Sequence, residues 1–184
     1  ETVGIQDQIA TSFGGFNNVS INKDGTYQIS PINLPEEELN NFVDRLVLVY
    51  TGITRRATSF AQEKVSNMSN KNSEFTQLQE MVSEAHKYLL EGKIDSFGKL
   101  LHKAWVIKRN LSNNVTNIDI DKLYDHGLKN GALGGKLLGA GGGGFLLFVV
   151  QDGKKEKLLE SLKDNVVVPF KLSRGGTKIL YNEG

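Results

Sequence analysis

The chain has 184 residues, of which 39% are apolar and 23% charged, with a net charge of +1 and no cysteine. That size suits one ordinary soluble domain, or a small domain plus part of another, with enough length to bury a core. The near-neutral balance gives no electrostatic reason for nucleic acid or an anionic membrane as the main partner. The missing cysteines exclude disulfides and thiolate chemistry and fit a cytoplasmic location.

No basic-plus-apolar leader begins the sequence, and the opening at Glu1 reads as a cut edge. The longest apolar run, FLLFVV at Phe145 to Val150, has strand length and falls far short of the ~18 residues that span a bilayer.

In chain order, Asp7 to Phe13 reads as a short helix, stopped by the two glycines of FGGF. Val19, Ile21, Tyr27 and Ile29 alternate around Asp24-Gly25, the pattern of a hairpin. Pro31 and Pro35 read as a loop, with EEEL after it and a soft domain boundary near residues 35–43. Asp44 to Gly52 reads as a buried strand ending in a glycine turn.

Helical spacing then gives four helices. The first carries Ala57, Phe60, Ala61, Val65 and Met68. The second carries Phe75, Leu78, Val82, Ala85 and Leu89, and the third Phe97, Leu100, Leu101, Ala104 and Trp105. The fourth is short, capped by Asp119, with Ile120, Leu123 and Leu128 inward and Gly131 at its end. The polar stretch SNMSNKNSEF reads as a helix–helix loop. Two strands split by glycines follow, then a helix with Leu158, Leu159 and Leu162 inward. VVVPFKL and KILY are expected to close the chain as strands. This order is α+β rather than repeated βαβ.

The most specific feature is KLLGAGGGGFLLF, in which Gly139, Ala140, Gly141, Gly142, Gly143 and Gly144 are almost without side chains. Ordering such a run is entropically costly, and a fold keeps it where backbone must approach something closely. Gly139, Gly141 and Gly144 match G-x-G-x-x-G, but a dinucleotide site needs a helix after the last glycine, and a strand pattern follows instead. A P-loop needs Gly-Lys-Ser/Thr, where Phe145 and Leu146 stand. Two readings stay open: a tight β-connection without a ligand, or a loop whose amides face a phosphate.

GGKLLGAGGGGF resembles the third motif of the GHMP small-molecule kinases, roughly K-x-x-G-A-G-x-G-G. Lys136, Gly139, Ala140, Gly141, Gly143 and Gly144 match it. GIQDQ at Gly4 to Gln8 resembles the G-x-x-D-Q segment of the sugar-kinase branch. GIQDQIATSFGGFN, LVYTGITRRA and GALGGKLLGAGGGGFLLF resemble the branch acting on heptose phosphates.

The resemblance implies the end of a ribosomal-S5-like domain over residues 1–40 and a ferredoxin-like GHMP kinase C-terminal domain over 41–184. It also implies ATP and Mg²⁺ as cofactors and a sugar phosphate as substrate. The family's P-x-x-x-G-L-G-S-S-A motif, with its phosphate loop and magnesium ligands, is absent from the sequence. It belongs to an N-terminal half of roughly 150 residues, within the usual size of one domain, and that half is an implied partner. Within the resemblance other GHMP kinases, of galactokinase, fucokinase or mevalonate type, are the alternatives. A binding or assembly fragment without activity of its own is the reading outside enzymes.

By the same resemblance Asp7 is the catalytic acid–base, orienting and deprotonating the attacking hydroxyl. From the residue alone the simpler reading is an acid at a helix N-terminus, favoured by the dipole. Gln8 is a candidate for sugar hydroxyls, against a solvated side chain. Arg55 is the candidate phosphate clamp ahead of Arg56, against a surface charge at a helix start. The glycine loop, Gly139 to Gly144, would approach the transferred phosphate, with amides able to stabilise transition-state charge. No metal ligands are expected in this chain. His86, His102 and His126 lack ligand spacing, and Trp105 fits the core stripe of its helix.

Overall fold

The structure is a computed structural model. It describes residues 5–54, 72–111, 115–139, 141–178 and 180–181. The expected helix from Ala57 to Met68, together with Arg55, Arg56 and Ala140, lies outside the described residues.

The described elements are, in order, α1 (Gln6–Phe13), β1 (Asn17–Ile21), β2 (Tyr27–Pro31), α2 (Glu36–Asp44), β3 (Leu46–Tyr50), α3 (Asn72–Leu90), α4 (Ile94–Leu111), α5 (Ile118–Lys129), β4 (Ala132–Leu137), β5 (Phe145–Val150) and α6 (Lys155–Ser161). The chain is a mixed α+β structure, as its patterning indicates. β1 and β2 form the expected hairpin, with Val19 opposite Ile29 and Ile21 opposite Tyr27. The Asp24 carboxylate accepts from the Thr26 amide and hydroxyl at 3.0 and 2.7 Å, which holds the turn.

β3, β5 and β4 make an antiparallel sheet with β5 in the middle. A fourth segment runs along the free edge of β3. Val167 bridges Val49, and Val166 O and Val168 N bond to Tyr50 N and Leu48 O at 2.9 and 2.8 Å.

The side-chain period of two sends alternate strand residues to opposite faces. Val47, Val49, Leu146, Phe148, Val150 and Leu137 meet Ile120 and Tyr124 of α5, Leu158 of α6 and Leu162 just after it. The other face puts Leu46, Leu147 and Val149 against Phe42 of α2, Leu89 of α3, and Ile94, Phe97 and Leu101 of α4. Side chains buried this fully each contribute about 1.5–3 kcal/mol relative to exposure, so the sheet is the rigid frame on which the loops at its end are carried.

Four expectations are corrected. The EEEL stretch, placed after the Pro31 to Pro35 loop at a soft boundary and given no element of its own, is the start of α2. Glu36, Glu37 and Glu38 occupy its first turn, where the helix dipole favours acids, and Leu39, Phe42 and Val43 form its inner stripe. The end of the expected polar loop is helical, because α3 already begins at Asn72, with Thr76 Oγ1 donating to Asn72 O at 2.9 Å. Asn117, not Asp119, caps α5: its Oδ1 accepts from the amides of Asp119 and Ile120 at 3.1 and 3.0 Å. VVVPFKL forms only the bridge at Val167, and no strand follows it among the described residues. Pro169 has no amide proton with which to continue a ladder.

The tail instead turns back onto α1. Gly15 N donates to Ser173 O at 2.8 Å, Thr177 N to Ser12 O at 3.1 Å and Thr177 Oγ1 to Thr11 O at 3.3 Å. Those two carbonyls belong to the last turn of α1, which has no intrahelical donors for them.

Candidate functional site

The glycine run is the connection between β4 and β5. Leu138 N donates to Phe145 O at 2.9 Å and closes the loop at its base. Two flanking segments grip it, mostly through backbone. Gly142 N donates to Val115 O and Gly144 N to Ile53 O, both at 2.9 Å, and Gly144 O accepts from both the amide and the hydroxyl of Thr51, each at 2.9 Å. A Cβ at Gly143 would stand 2.6 Å from Ile53 O. The close approach that the composition points to is therefore first an approach of protein backbone. The amides of Gly139, Gly141 and Gly143 make no hydrogen bond among the described residues.

The Val115 segment is itself braced. Asp121 Oδ1 of α5 accepts from Arg109 Nη1 of α4 at 3.1 Å and from Thr116 Oγ1 at 2.8 Å. This ties the end of α4, the start of α5 and the loop they support into one unit.

Beside the loop lies a cavity of about 640 Å³. Its walls are the facing sides of α3 and α4, apolar from Leu78 and Met81 to Phe97, Leu101 and Trp105. Its polar lining comes from three separate elements: Gln6 and Asp7 of α1, Lys108 of α4, and Lys136 with Gly139 at the end of β4. Lys108 Nζ donates to Gly139 O at 3.2 Å. α4 reaches this position because it lies directly on β4: a Cβ at Gly134 would collide with Gly98 O and His102 N. Gly134, Lys136 and Leu138 share a strand face by parity, so the contact that seats α4 also aims Lys136 at the cavity.

The structure thus brings together Asp7 and the start of the glycine loop, which the sequence singled out separately. Asp7 is exposed in the first turn of α1, a position that also suits an acid at a helix N-terminus. Gln8 is exposed and is not among the residues lining the cavity; Gln6 is. Arg55 and Ala140 lie outside the described residues.

Lys108 and Gln6 escaped the sequence reading. Lys108 stands three residues after Trp105, on the same helix face, and that spacing was the available signal. Trp105 is 1% exposed, and its Nε1 has no hydrogen-bond partner among the described residues.

His102 stacks on Tyr124, with Nδ1 2.9 Å from the hydroxyl, and His126 Nε2 lies 2.9 Å from Ser161 O. Burial pushes the Tyr124 hydroxyl well above its ordinary pKa, with the positive charge of Arg109 opposing the shift. Among the described residues no group of three or more His, Asp or Glu could hold a metal ion, and no helix is long and apolar enough to cross a membrane.

The α+β frame thus sets the start of the glycine loop and a carboxylate at one cavity. Residues 85–168 match the family described as GHMP kinases C terminal. It is 28% identical over 179 residues to the D-glycero-alpha-D-manno-heptose 7-phosphate kinase of Campylobacter jejuni, a match covering 95% of this chain and 53% of that protein. It is 35% identical over 115 residues to the L-fucokinase/L-fucose-1-P guanylyltransferase of Bacteroides fragilis, covering 60% of this chain and 12% of that protein. Its fold superposes on the D-glycero-D-manno-heptose 1-phosphate kinase of Bacteroides thetaiotaomicron with a TM-score of 0.70 at 23% identity, covering 97% of this chain and 50% of the other. The chain spans about half the length of the heptose kinases it matches.

Proposed function

We propose that this chain is the C-terminal half of an ATP-dependent kinase that phosphorylates a hydroxyl of a heptose phosphate for bacterial surface-polysaccharide synthesis, in the cytoplasm. The observation that carries this reading is the shared cavity: Asp7, near one end of the chain, and Gly139, at the start of the glycine loop, line the same space. In this reading residues 1–40 end an S5-like first domain and residues 41–184 form the ferredoxin-like second. The sheet order 166–168, β3, β5, β4 supports the second part.

Sugar phosphorylation needs a hydroxyl oxygen to attack the terminal phosphorus of ATP in line, while its proton leaves. The Asp7 carboxylate accepts that proton and orients the oxygen. The amides of Gly139, Gly141 and Gly143 face charge on the transferred group. Gln8 contacts sugar hydroxyls, and Arg55, after the end of β3, clamps the phosphate that the acceptor already carries. ATP supplies the phosphoryl group. The loop's unengaged amides fit a phosphate, and in this reading the metal and the adenine contacts belong to the other half.

The test uses the complete protein containing this chain, with ATP and a panel of heptose phosphates, free sugars and mevalonate, read by ADP release. A heptose phosphate should give the highest kcat/KM. Asp7→Asn should lower kcat by about 10²- to 10⁴-fold, with circular dichroism unchanged. Wild-type turnover in that variant would remove Asp7 from the mechanism. A preference for free fucose would favour a fucokinase-type activity, for which the 35% identity to the B. fragilis protein is the supporting observation. No turnover of any sugar by the complete protein would leave the chain a binding or assembly half.

A further inference from the structure

Among the described residues, two lysines and one carboxylate residue line the cavity near the start of the glycine loop. Lys108 and Lys136 stand with Asp7, and the remaining lining is apolar or uncharged. Among the described lining residues the charges sum to a positive value, beside apolar walls that strengthen electrostatic attraction. Both lysines sit at the root of the glycine loop. Lys108 is fixed there by its bond to Gly139 O, and Lys136 is on β4 two residues before Leu138, whose amide closes the loop. Both are half-buried, and they arrive from different elements, a helix and a strand.

We propose that Lys108 and Lys136 together bind a phosphoryl group at this end of the cavity and are specificity-determining residues of the site. A phosphate monoester carries about −1.5 to −2 charges at neutral pH and matches two point-charge ammonium donors. The group is either the phosphate already on the acceptor or the phosphoryl in transfer. The assignment rests on the kinase reading above for its biological role, but the anion site itself does not depend on it.

The experiment compares the complete wild-type protein with Lys108→Met, Lys136→Met and the charge-preserving Lys136→Arg, each checked for native circular dichroism. Kinetics are measured with a phosphorylated sugar and with its unphosphorylated counterpart. Loss of one charged hydrogen bond is expected to cost about 10- to 100-fold. A rise of that size in KM for the phosphorylated acceptor alone assigns the lysines to the acceptor's phosphate. An equal fall in kcat with both acceptors assigns them to the phosphoryl in transfer.

In either case Lys136→Arg should recover at least part of the loss, which repacking alone would not produce. Constants within threefold of wild type for both Met variants would overturn the proposal. If the wild-type protein phosphorylates none of the sugars, the kinase reading fails, and the site is then read by titrating inorganic pyrophosphate while following the amide resonances of residues 108 and 136. Saturable shifts weakened tenfold or more in the Met variants support the site, and no saturable shift overturns it.

Discussion

At the scale of single residues, two glycines of one loop are there for different reasons, and substitution separates them. Gly139 has φ +70°, and nothing lies within 4 Å of where its Cβ would be. Alanine there meets only the left-handed backbone penalty of about 1–2 kcal/mol. Gly143 does not have a left-handed φ, but its Cβ would press on Ile53 O, the acceptor of the Gly144 amide. Gly143→Ala is therefore expected to displace the loop from the 51–53 segment. Hydrogen exchange tests the distinction: the Gly144 amide should lose protection at least tenfold in Gly143→Ala and keep it in Gly139→Ala. Equal protection in both variants would mean that the loop is not gripped at Ile53. The glycine run was legible as a site of close approach because bare backbone is a compositional signal. That its partner is largely other backbone was not legible, since Ile53 and Val115 act through carbonyls, which every residue type possesses.

At the scale of elements, the tail from Ser173 to Thr177 works as a C-terminal cap for α1, the helix that carries Asp7. Glycine pairs interlock there: Cβ atoms at Gly14 and Gly176 would run into the backbone of residues 175–176 and 12–13 respectively. Gly176→Ala should force the tail away and leave the carbonyls of Thr11 and Ser12 to water. We expect faster hydrogen exchange across α1 and a loss of stability of about 1–3 kcal/mol, from bonds lost and strain gained, measured by urea unfolding. Unchanged exchange in α1 would show that the helix is held from elsewhere. The two Gly-Gly dipeptides are visible in the sequence, but their pairing is not, because no periodicity links segments so far apart. α2 was missed for a local reason: two prolines and three glutamates outweighed the Leu39, Phe42 and Val43 stripe, although glutamates before such a stripe mark a helix start. The buried strands and α4–α6 were readable because their apolar spacing is set directly by what they bury. The cavity was only half readable. Asp7 and the glycine loop stand out as motifs, whereas Lys108 and Gln6 become site residues only when α4 settles on β4 and α1 is placed above the gap.

At the scale of the whole molecule, α4, α5 and the sheet converge on Tyr124. Its ring packs against Trp105 at 5.8 Å and Phe148 at 5.8 Å, between centroids, and stacks on His102 at 5.9 Å. The residue is 1% exposed, and its hydroxyl lies 2.9 Å from His102 Nδ1 and 3.4 Å from Gly135 O. Burial raises the hydroxyl's pKa in the folded protein above the ordinary value near 10, so the folded state holds its proton more tightly than the unfolded chain. The sign of the linkage follows. Below pH 10 both states are protonated and the stabilisation is fully present. As pH rises above 10 the unfolded chain ionises while the folded protein does not, and stability falls by up to about 1.4 kcal/mol per pH unit for this one proton. Other tyrosines and lysines titrate over the same range, so the informative quantity is the difference between wild type and Tyr124→Phe. Phenylalanine keeps the ring contacts but gives up both hydroxyl interactions, so the variant should be the less stable of the two at pH 8. Urea unfolding from pH 8 to pH 11.5 should show that gap constant up to pH 10 and then narrowing, because only the wild type has the buried proton to lose on unfolding. A gap that stayed constant to pH 11.5 would mean that Tyr124 is not sealed at the junction, and that α4 and α5 separate enough to admit water before the molecule unfolds.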